Sequence, residues 1–575
     1  MKAKNQSALK SFLILTVLSV LVNCGPELKN EKKNKTLNNL AILADAKPAR
    51  SESNFNEANA LNTRSLLGPD QIIPTSSLSQ DSSSELLGNI YTNIKNGDSN
   101  VEVNLPLEVT LLNGLIANNT GIKNSYFLTL DGSVLYSRVV VEGNKITLIP
   151  QIRLQPNRKY IAIVGGIQNA KGESLGNLKI NFKSRDLDYG LYWYGKFGVC
   201  EKYFPNLKNA FYNPASATVI FSHGLQTNSV SNDDPYGRKG FSYQMYYYLE
   251  DNFAGAKELN GLRKFTNHNW IDKGWNTGIV FWNQFADDAL HAAEAKIWNL
   301  VEGPNGSSYK TMDEAGTVSS NIWDRNLQFK GQTIQVQSVG ELLSLYVIDA
   351  LKQNTSGNIR MTGHSLGNQM ITNISGRVNA SGIKIKRIAL LDPAWTDGAK
   401  SYLPKVTEKE MQVALNHNGA KALELGIVGR NFYVTEYARV ILFTILNDQW
   451  KNGIVIERYN STILDLYLQP FMNPNQPLNQ QIAVMDMKPW YYSATQLKEK
   501  HNSVRQHYFW SMESSSPIEC VIQFFNRIKT GDIALSAFTP DSKVREMMLG
   551  GKYWSQVEGR YTADPSDDWY EVKKK

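Results

Sequence analysis

The sequence predicts a multidomain chain in which an all-β sandwich precedes an α/β unit with a mostly parallel sheet and helices on both faces. Three observations predict it. Between about Ser84 and Arg185, short runs of alternating apolar and polar residues are separated by turn residues, the period-two pattern of half-buried strands. From Asp186 onward the apolar runs are continuous and β-branched and alternate with helix-length stretches, as strands covered on both faces require. One of these later runs ends directly in Gly363-His364-Ser365-Leu366-Gly367, with a helix-compatible stretch after it.

Composition agrees with several folded units. A chain of 575 residues exceeds one small domain, and with 42% hydrophobic and 20% charged residues it can bury real cores. The formal charge of +8 is spread thinly. Basic clusters fall near the two ends, at Lys29 to Lys35 and at Lys573-Lys574-Lys575. No basic stripe with interleaved aromatics occurs between them, which argues against a nucleic-acid partner.

Residues 1–23 read as a signal peptide, because Lys2, Lys4 and Lys10 precede the apolar run Phe12 to Val22. That run is short for a spanning helix and ends at Leu21-Val22-Asn23-Cys24-Gly25, which resembles a bacterial lipobox. Cys24 is then the lipidated N-terminus of an exported lipoprotein, periplasmic or at the cell surface and anchored to a bacterial membrane. Asn23 departs from the small residue usual at its position, and a simple secretory signal is the alternative. Residues 24–83, rich in Asn, Ser, Lys and Ala, read as a flexible tether. With Cys24 acylated, Cys200 and Cys520 remain; in an oxidising compartment they form a disulfide or stay as two buried thiols, and sequence leaves both open.

The sandwich occupies residues 84–186, with strands expected at Val101 to Leu105, Ser137 to Val141 and Lys145 to Pro150. Its final portion, including Leu154-Gln155-Pro156-Asn157-Arg158-Lys159-Tyr160 and Lys171-Gly172, resembles the bacterial Ig-like domains first noted in surface-layer proteins. The resemblance implies a spacer, or an adhesive module contacting host or matrix. No clustered His, Cys or carboxylates give this segment chemistry of its own.

The α/β unit spans 187–575. Strands are expected at Ala217 to Phe221, Thr277 to Trp282, Asn358 to Thr362 and Arg387 to Leu391, with an amphipathic helix over Gln335 to Leu351. The third strand delivers the chemistry. A serine on a strained strand-to-helix turn projects its hydroxyl into the open, and glycines on either side let strand and helix pass closely. Ser365 is therefore the candidate nucleophile. A serine needs a general base, and the base an orienting carboxylate, in the chain order Ser, acid, His. Asp392, in Leu390-Leu391-Asp392-Pro393-Ala394, lies at the carboxyl end of the next strand, where sites in open α/β sheets form. Asp486, after a later strand, competes with it. Two of the seven histidines, His501 and His507, lie far downstream in one stretch as candidate bases. The amide of Leu366, following the nucleophile, is one oxyanion donor. His223 and His364 fit no place in the ordered triad and read as loop-orienting residues.

The set His223-Gly224, Gly363-His364-Ser365-Leu366-Gly367, Leu391-Asp392-Pro393-Ala394 and His501 followed by Tyr508 and Ser511 resembles the animal pancreatic and lipoprotein lipase family, within the α/β-hydrolases. That resemblance implies Asp392 as acid, His501 as base and the Leu225 amide as second oxyanion donor. It runs from about Thr218 to Ser511, through motifs rather than continuous sequence. Trp395 departs from the family pattern, and the long stretch at about 400–480, with Glu408 to Leu466 within it, reads as an inserted cap. The family's C-terminal sandwich is missing, since little chain follows Ser511. The expected function is a serine carboxylic ester hydrolase, esterase or lipase, on lipid or other acyl esters, with no cofactor and no metal. A surface adhesin on an inactive scaffold, and a phospholipase or peptidase on the same fold, are the alternatives.

Overall fold

Leu107, Val109 and Leu111 are buried while Glu108 and Thr110 between them are not, so this segment takes up the pleat of a strand with one face inward. The computed structural model describes residues 88–575 except 103–104, 130–133, 136, 151–153, 155–157, 186–188, 197–199, 228–229, 231–246, 249–262, 265, 313–316, 395–453, 462–481, 494 and 524–525. Cys24, the signal segment, the tether, Trp395 and most of the expected cap lie outside the described residues.

Residues 90–184 form two antiparallel-rich sheets. One has four strands, in the order Ile90–Thr92, Leu107–Leu111, Lys145–Pro150 and Ser137–Glu142. The other has five: Asp98–Val101, Leu178–Ser184, Lys159–Val164, Tyr126–Thr129 and Val134–Leu135. Their inward residues, among them Val109, Ile146, Leu148, Phe127, Ala162 and Phe182, belong to one buried apolar cluster. This is the two-sheet arrangement that the alternating pattern demands.

The rest of the chain is organised by one twelve-stranded mixed sheet. Its strands are β1 (Gly190–Tyr194), β2 (Cys200–Lys202), β3 (Ala217–Ser222), β4 (Trp275–Phe281), β5 (Ile359–His364), β6 (Arg387–Leu391), β7 (Val455–Asn460), β8 (Ala483–Asp486), β9 (Ile518–Gln523), β10 (Asn526–Ile533), β11 (Lys552–Glu558) and β12 (Trp569–Lys574). Their spatial order is β2-β1-β4-β3-β5-β6-β7-β8-β11-β12-β9-β10. From β4 to β11 every pairing is parallel, and the antiparallel pairings lie towards the two edges. Burial explains the centre. Every residue of β5, β6 and β7 is buried, which is the environment a parallel strand needs.

The sheet is less uniformly parallel than the sequence predicts, and its far side is new. Residues 518–574 extend the main sheet by four strands. Among the described residues, seven α-helices accompany the sheet: α1 (Asn267–Asp272), α2 (Asn283–Ala286), α3 (Leu290–Trp298), α4 (Val339–Leu351), α5 (Gly367–Ala380), α6 (Leu497–Trp510) and α7 (Asp541–Leu549). The helix expected from Gln335 starts four residues later, because Ser338 caps it by accepting from the Glu341 amide at 3.0 Å while the Glu341 carboxylate accepts from the Gln337 amide at 2.7 Å. Among the described residues, no helix is long and apolar enough to cross a membrane.

The disulfide alternative is corrected. Cys200 and Cys520 are both free and buried. Cys200 begins β2, Cys520 lies in β9, and nine strands separate those two in the sheet. At about 4.8 Å per strand they stand tens of ångströms apart, where bridged Cα atoms lie within about 7 Å.

Candidate active site

Chain order creates a crevice where the sheet changes direction. From β3 the chain moves outward to β4 and then returns to β5 on the other side of β3. The loops leaving the carboxyl ends of β3 and β5 therefore diverge, and ligands in open α/β sheets bind at such a point. His223-Gly224-Leu225 follows β3, and Ser365 follows β5.

Ser365 has φ of +54°, a left-handed conformation that a non-glycine residue adopts only when its surroundings force it. The forcing contacts are visible. The Ser365 amide donates to Leu391 O at 3.0 Å, and the Ser365 carbonyl accepts from the Asn368 side-chain amide at 2.9 Å and from the Ala394 amide at 3.2 Å. A Cβ on Gly363 would strike the Gly367 carbonyl, and one on Gly367 would strike the carbonyls of Ser222 and His223. Both glycines of the Gly-x-Ser-x-Gly pattern are thus required by close approach of strand, helix and loop. Gly224 is as restricted, since a Cβ there would lie 2.7 Å from Ser365 Cβ and 2.9 Å from His364 O.

Asp392, directly after β6, is 1% exposed and also left-handed, with φ of +42°. His501 Nδ1 donates to its Oδ2 at 2.7 Å. When the imidazole is neutral, that bond selects the tautomer with its proton on Nδ1 and the lone pair on Nε2. The competing assignments are placed elsewhere. Asp486 accepts from the Asn460 side chain at 3.0 Å, and His507 is buried with Nδ1 3.6 Å from Asp568, where burial lowers its pKa to about 4. The structure does not bring Ser365 to His501 by a hydrogen bond: among the described residues the Ser365 hydroxyl makes none. His501 itself lies in the second turn of α6, where Val504, His507, Tyr508 and Phe509 give the segment a buried helical face.

Two further histidines act through the backbone. His223 Nδ1 donates to Gly224 O at 2.9 Å, and its Nε2 accepts from the Trp282 amide at 3.1 Å. Those two partners dictate one neutral tautomer, and burial holds its pKa down to about 4. Trp282 stacks on the ring with 11° between planes and donates from Nε1 to His223 O at 3.0 Å. The loop bearing Leu225 is therefore locked to the end of β4. Neither the Leu225 amide nor the Leu366 amide is committed to another hydrogen bond among the described residues, and Leu366 immediately precedes α5, whose N-terminal end favours negative charge. His364, neutral through burial well below the usual imidazole range, donates from Nε2 to the main-chain carbonyl of His501 at 3.0 Å.

Sequence reasoning did not single out Ser461 or Asn368. Ser461 donates from Oγ to Asp392 Oδ2 at 2.6 Å. Asn368 bonds Ser365 O, Leu391 O and the Leu391 amide, tying nucleophile and acid strands together. A buried amide one turn after the nucleophile was the available signal for Asn368; no local pattern marks Ser461. Among the described residues, no group of three or more His, Cys, Asp or Glu is placed to hold a metal ion.

No known family matches this sequence, and no curated protein does. Among solved structures, the N-terminal part of the bacterial S-layer protein SbsC is similar at 14% identity and a TM-score of 0.15, over 18% of this chain and 26% of that one. An N-formylmaleamic acid deformylase from Pseudomonas putida S16 is similar at 12% identity and a TM-score of 0.17, over 44% and 75%. The Vlm2 thioesterase domain with a bound dodecadepsipeptide is similar at 11% identity and a TM-score of 0.15, over 43% and 75%. The chain spans about a quarter of the SbsC fragment it matches. Likenesses this faint carry no argument, and the reading of the site rests on its own geometry.

Proposed function

We propose that this protein is a serine carboxylic ester hydrolase of the α/β-hydrolase type, acting on lipid or other acyl esters through an acyl-enzyme. The single observation that carries the reading is the hydrogen bond at 2.7 Å between His501 and the buried Asp392, beside a left-handed serine at the carboxyl edge of the sheet. In this mechanism Ser365 Oγ attacks the ester carbonyl and its proton passes to His501 Nε2. Asp392 holds Nδ1–H and stabilises the imidazolium. The developing oxyanion takes hydrogen bonds from the amides of Leu225 and Leu366. Collapse of the tetrahedral intermediate expels the alcohol, which takes the proton back from His501; water then repeats the sequence on the acyl-enzyme and releases the acid. The reading requires Ser365 Oγ to come within hydrogen-bond reach of His501 Nε2 in the complex with substrate.

The same proposal includes export and anchoring through a lipid on Cys24, with residues 24–83 as tether and the Ig-like domain as spacer. The test is hydrolysis of nitrophenyl esters, from short to long acyl chains, by protein lacking residues 1–24. Ser365→Ala should lower kcat by roughly 10³- to 10⁶-fold. Equal rates for the two proteins, or no turnover by either in the presence of lipid interfaces, would reject the hydrolase reading.

A further inference from the structure

We infer that Ser461 is a positioning residue for the catalytic pair: its hydroxyl fixes the plane of the Asp392 carboxylate so that one oxygen faces His501 Nδ1. This inference rests on the ester hydrolase reading and adds a fourth side chain to it.

Asp392 Oδ2 accepts two short bonds, from His501 Nδ1 at 2.7 Å and from Ser461 Oγ at 2.6 Å. The Ser461 amide lies 3.5 Å from Oδ1, at the outer limit of a hydrogen bond. Among the described residues, Ser461 is therefore the only donor to this carboxylate other than His501. The carboxylate is 2% exposed, so bulk water does not supply a substitute. A carboxylate rotates about its terminal torsion over a broad, roughly two-fold well, and a single bond to a partly exposed imidazole does not choose within that well. The Ser461 bond does choose.

Position in the fold makes the contact specific. Asp392 leaves β6, Ser461 leaves β7 in the adjacent parallel register, and the Asp392 amide donates to Tyr459 O at 2.7 Å, so both strand ends are pinned together. Ser461 is 1% exposed, and a hydroxyl donor buried against an ionised acceptor forms a strong bond whose loss is felt. The His501 backbone is held separately, by the bond from His364 Nε2 to the His501 main-chain carbonyl at 3.0 Å, which leaves the Asp392 carboxylate to orient the ring.

The experiment compares Ser461→Ala and Ser461→Thr with the parent protein lacking residues 1–24. Readouts are kcat and KM on a nitrophenyl ester, and the low-field imidazole N–H proton resonance of the Asp392–His501 hydrogen bond, identified by its loss in His501→Gln. Ser461→Ala should lower kcat by about 10- to 100-fold with KM unchanged, and shift or broaden the low-field resonance. Ser461→Thr, which keeps the hydroxyl, should restore both. An alanine variant with parental kcat and an unmoved resonance overturns the proposal, as does a threonine variant no better than alanine. If the parent protein hydrolyses no ester, the hydrolase reading fails separately, and the resonance still reports whether Ser461 orders the pair.

Discussion

Gly224 illustrates at the scale of one residue how closely the loop after β3 must approach the nucleophile. The space that a methyl group would need is occupied by Ser365 Cβ at 2.7 Å and by His364 O at 2.9 Å. Gly224→Ala should therefore displace the Leu225 amide or turn the Ser365 side chain, and displacements of about 1 Å cost on the order of 100-fold in rate. Steady-state kinetics on a nitrophenyl ester would read this as a fall in kcat; an alanine variant with parental kcat would mean that the loop does not hold the oxyanion. The sequence marks His223-Gly224 only through its resemblance to lipases. The reason glycine is needed there is a contact between positions more than 130 residues apart, and no local pattern encodes it.

At the scale of elements, strand placement decides what the cysteines can do. Both thiols are buried, and burial pushes the Cys520 thiol pKa up, which slows its reaction further. In protein lacking residues 1–24, thiol titration should find little reaction in the native state and both cysteines reactive after guanidinium unfolding without reductant. A protein that reacts only after reduction would mean that β2 and β9 are not at opposite ends of one sheet. The sequence leaves this pairing open because an even count of cysteines says nothing of distance. Other elements were legible: β3, β5 and β6 fall where continuous β-branched runs place them, because such runs are what a strand buried on both faces requires. The helix around His501 was not, since its first turns carry Lys498, Glu499 and Lys500 and its buried stretch itself includes the polar Ser503, Arg505 and His507, and only packing against β6, β7 and α1 selects that face.

For the whole molecule, the C-terminal segment is held to the sheet by two buried cations, Arg360 of β5, which donates to Ala537 O at 2.6 Å, and Arg387 of β6. Arg387, fully buried at the start of β6, pairs with Glu457 of β7 through Nε–Oε1 at 2.7 Å and Nη2–Oε2 at 2.5 Å. It also donates to Thr539 O and Ser536 O, each at 2.6 Å, in the connection between β10 and α7. Arg387→Met should leave the Glu457 carboxylate buried and unpaired, a loss of about 3–5 kcal/mol. Denaturant unfolding should show this as a lower midpoint, and an unchanged midpoint would mean that the last strands are held independently of this arginine. By itself, the sequence determined a β-rich segment before an α/β region and singled out Ser365, because those signals are local: period, strand length, and residue types at fixed spacing. Asp392 and His501 were preferred to Asp486 and His507 only through the resemblance to the lipase family. Only the tertiary structure decided that His501 bonds Asp392, that Ser461 shares the same carboxylate, that the two cysteines are apart, and that the last strands continue the sheet. Each of these is a long-range contact, set by which strands neighbour one another, and that order is fixed by packing of the assembled sheet rather than by any stretch of the chain.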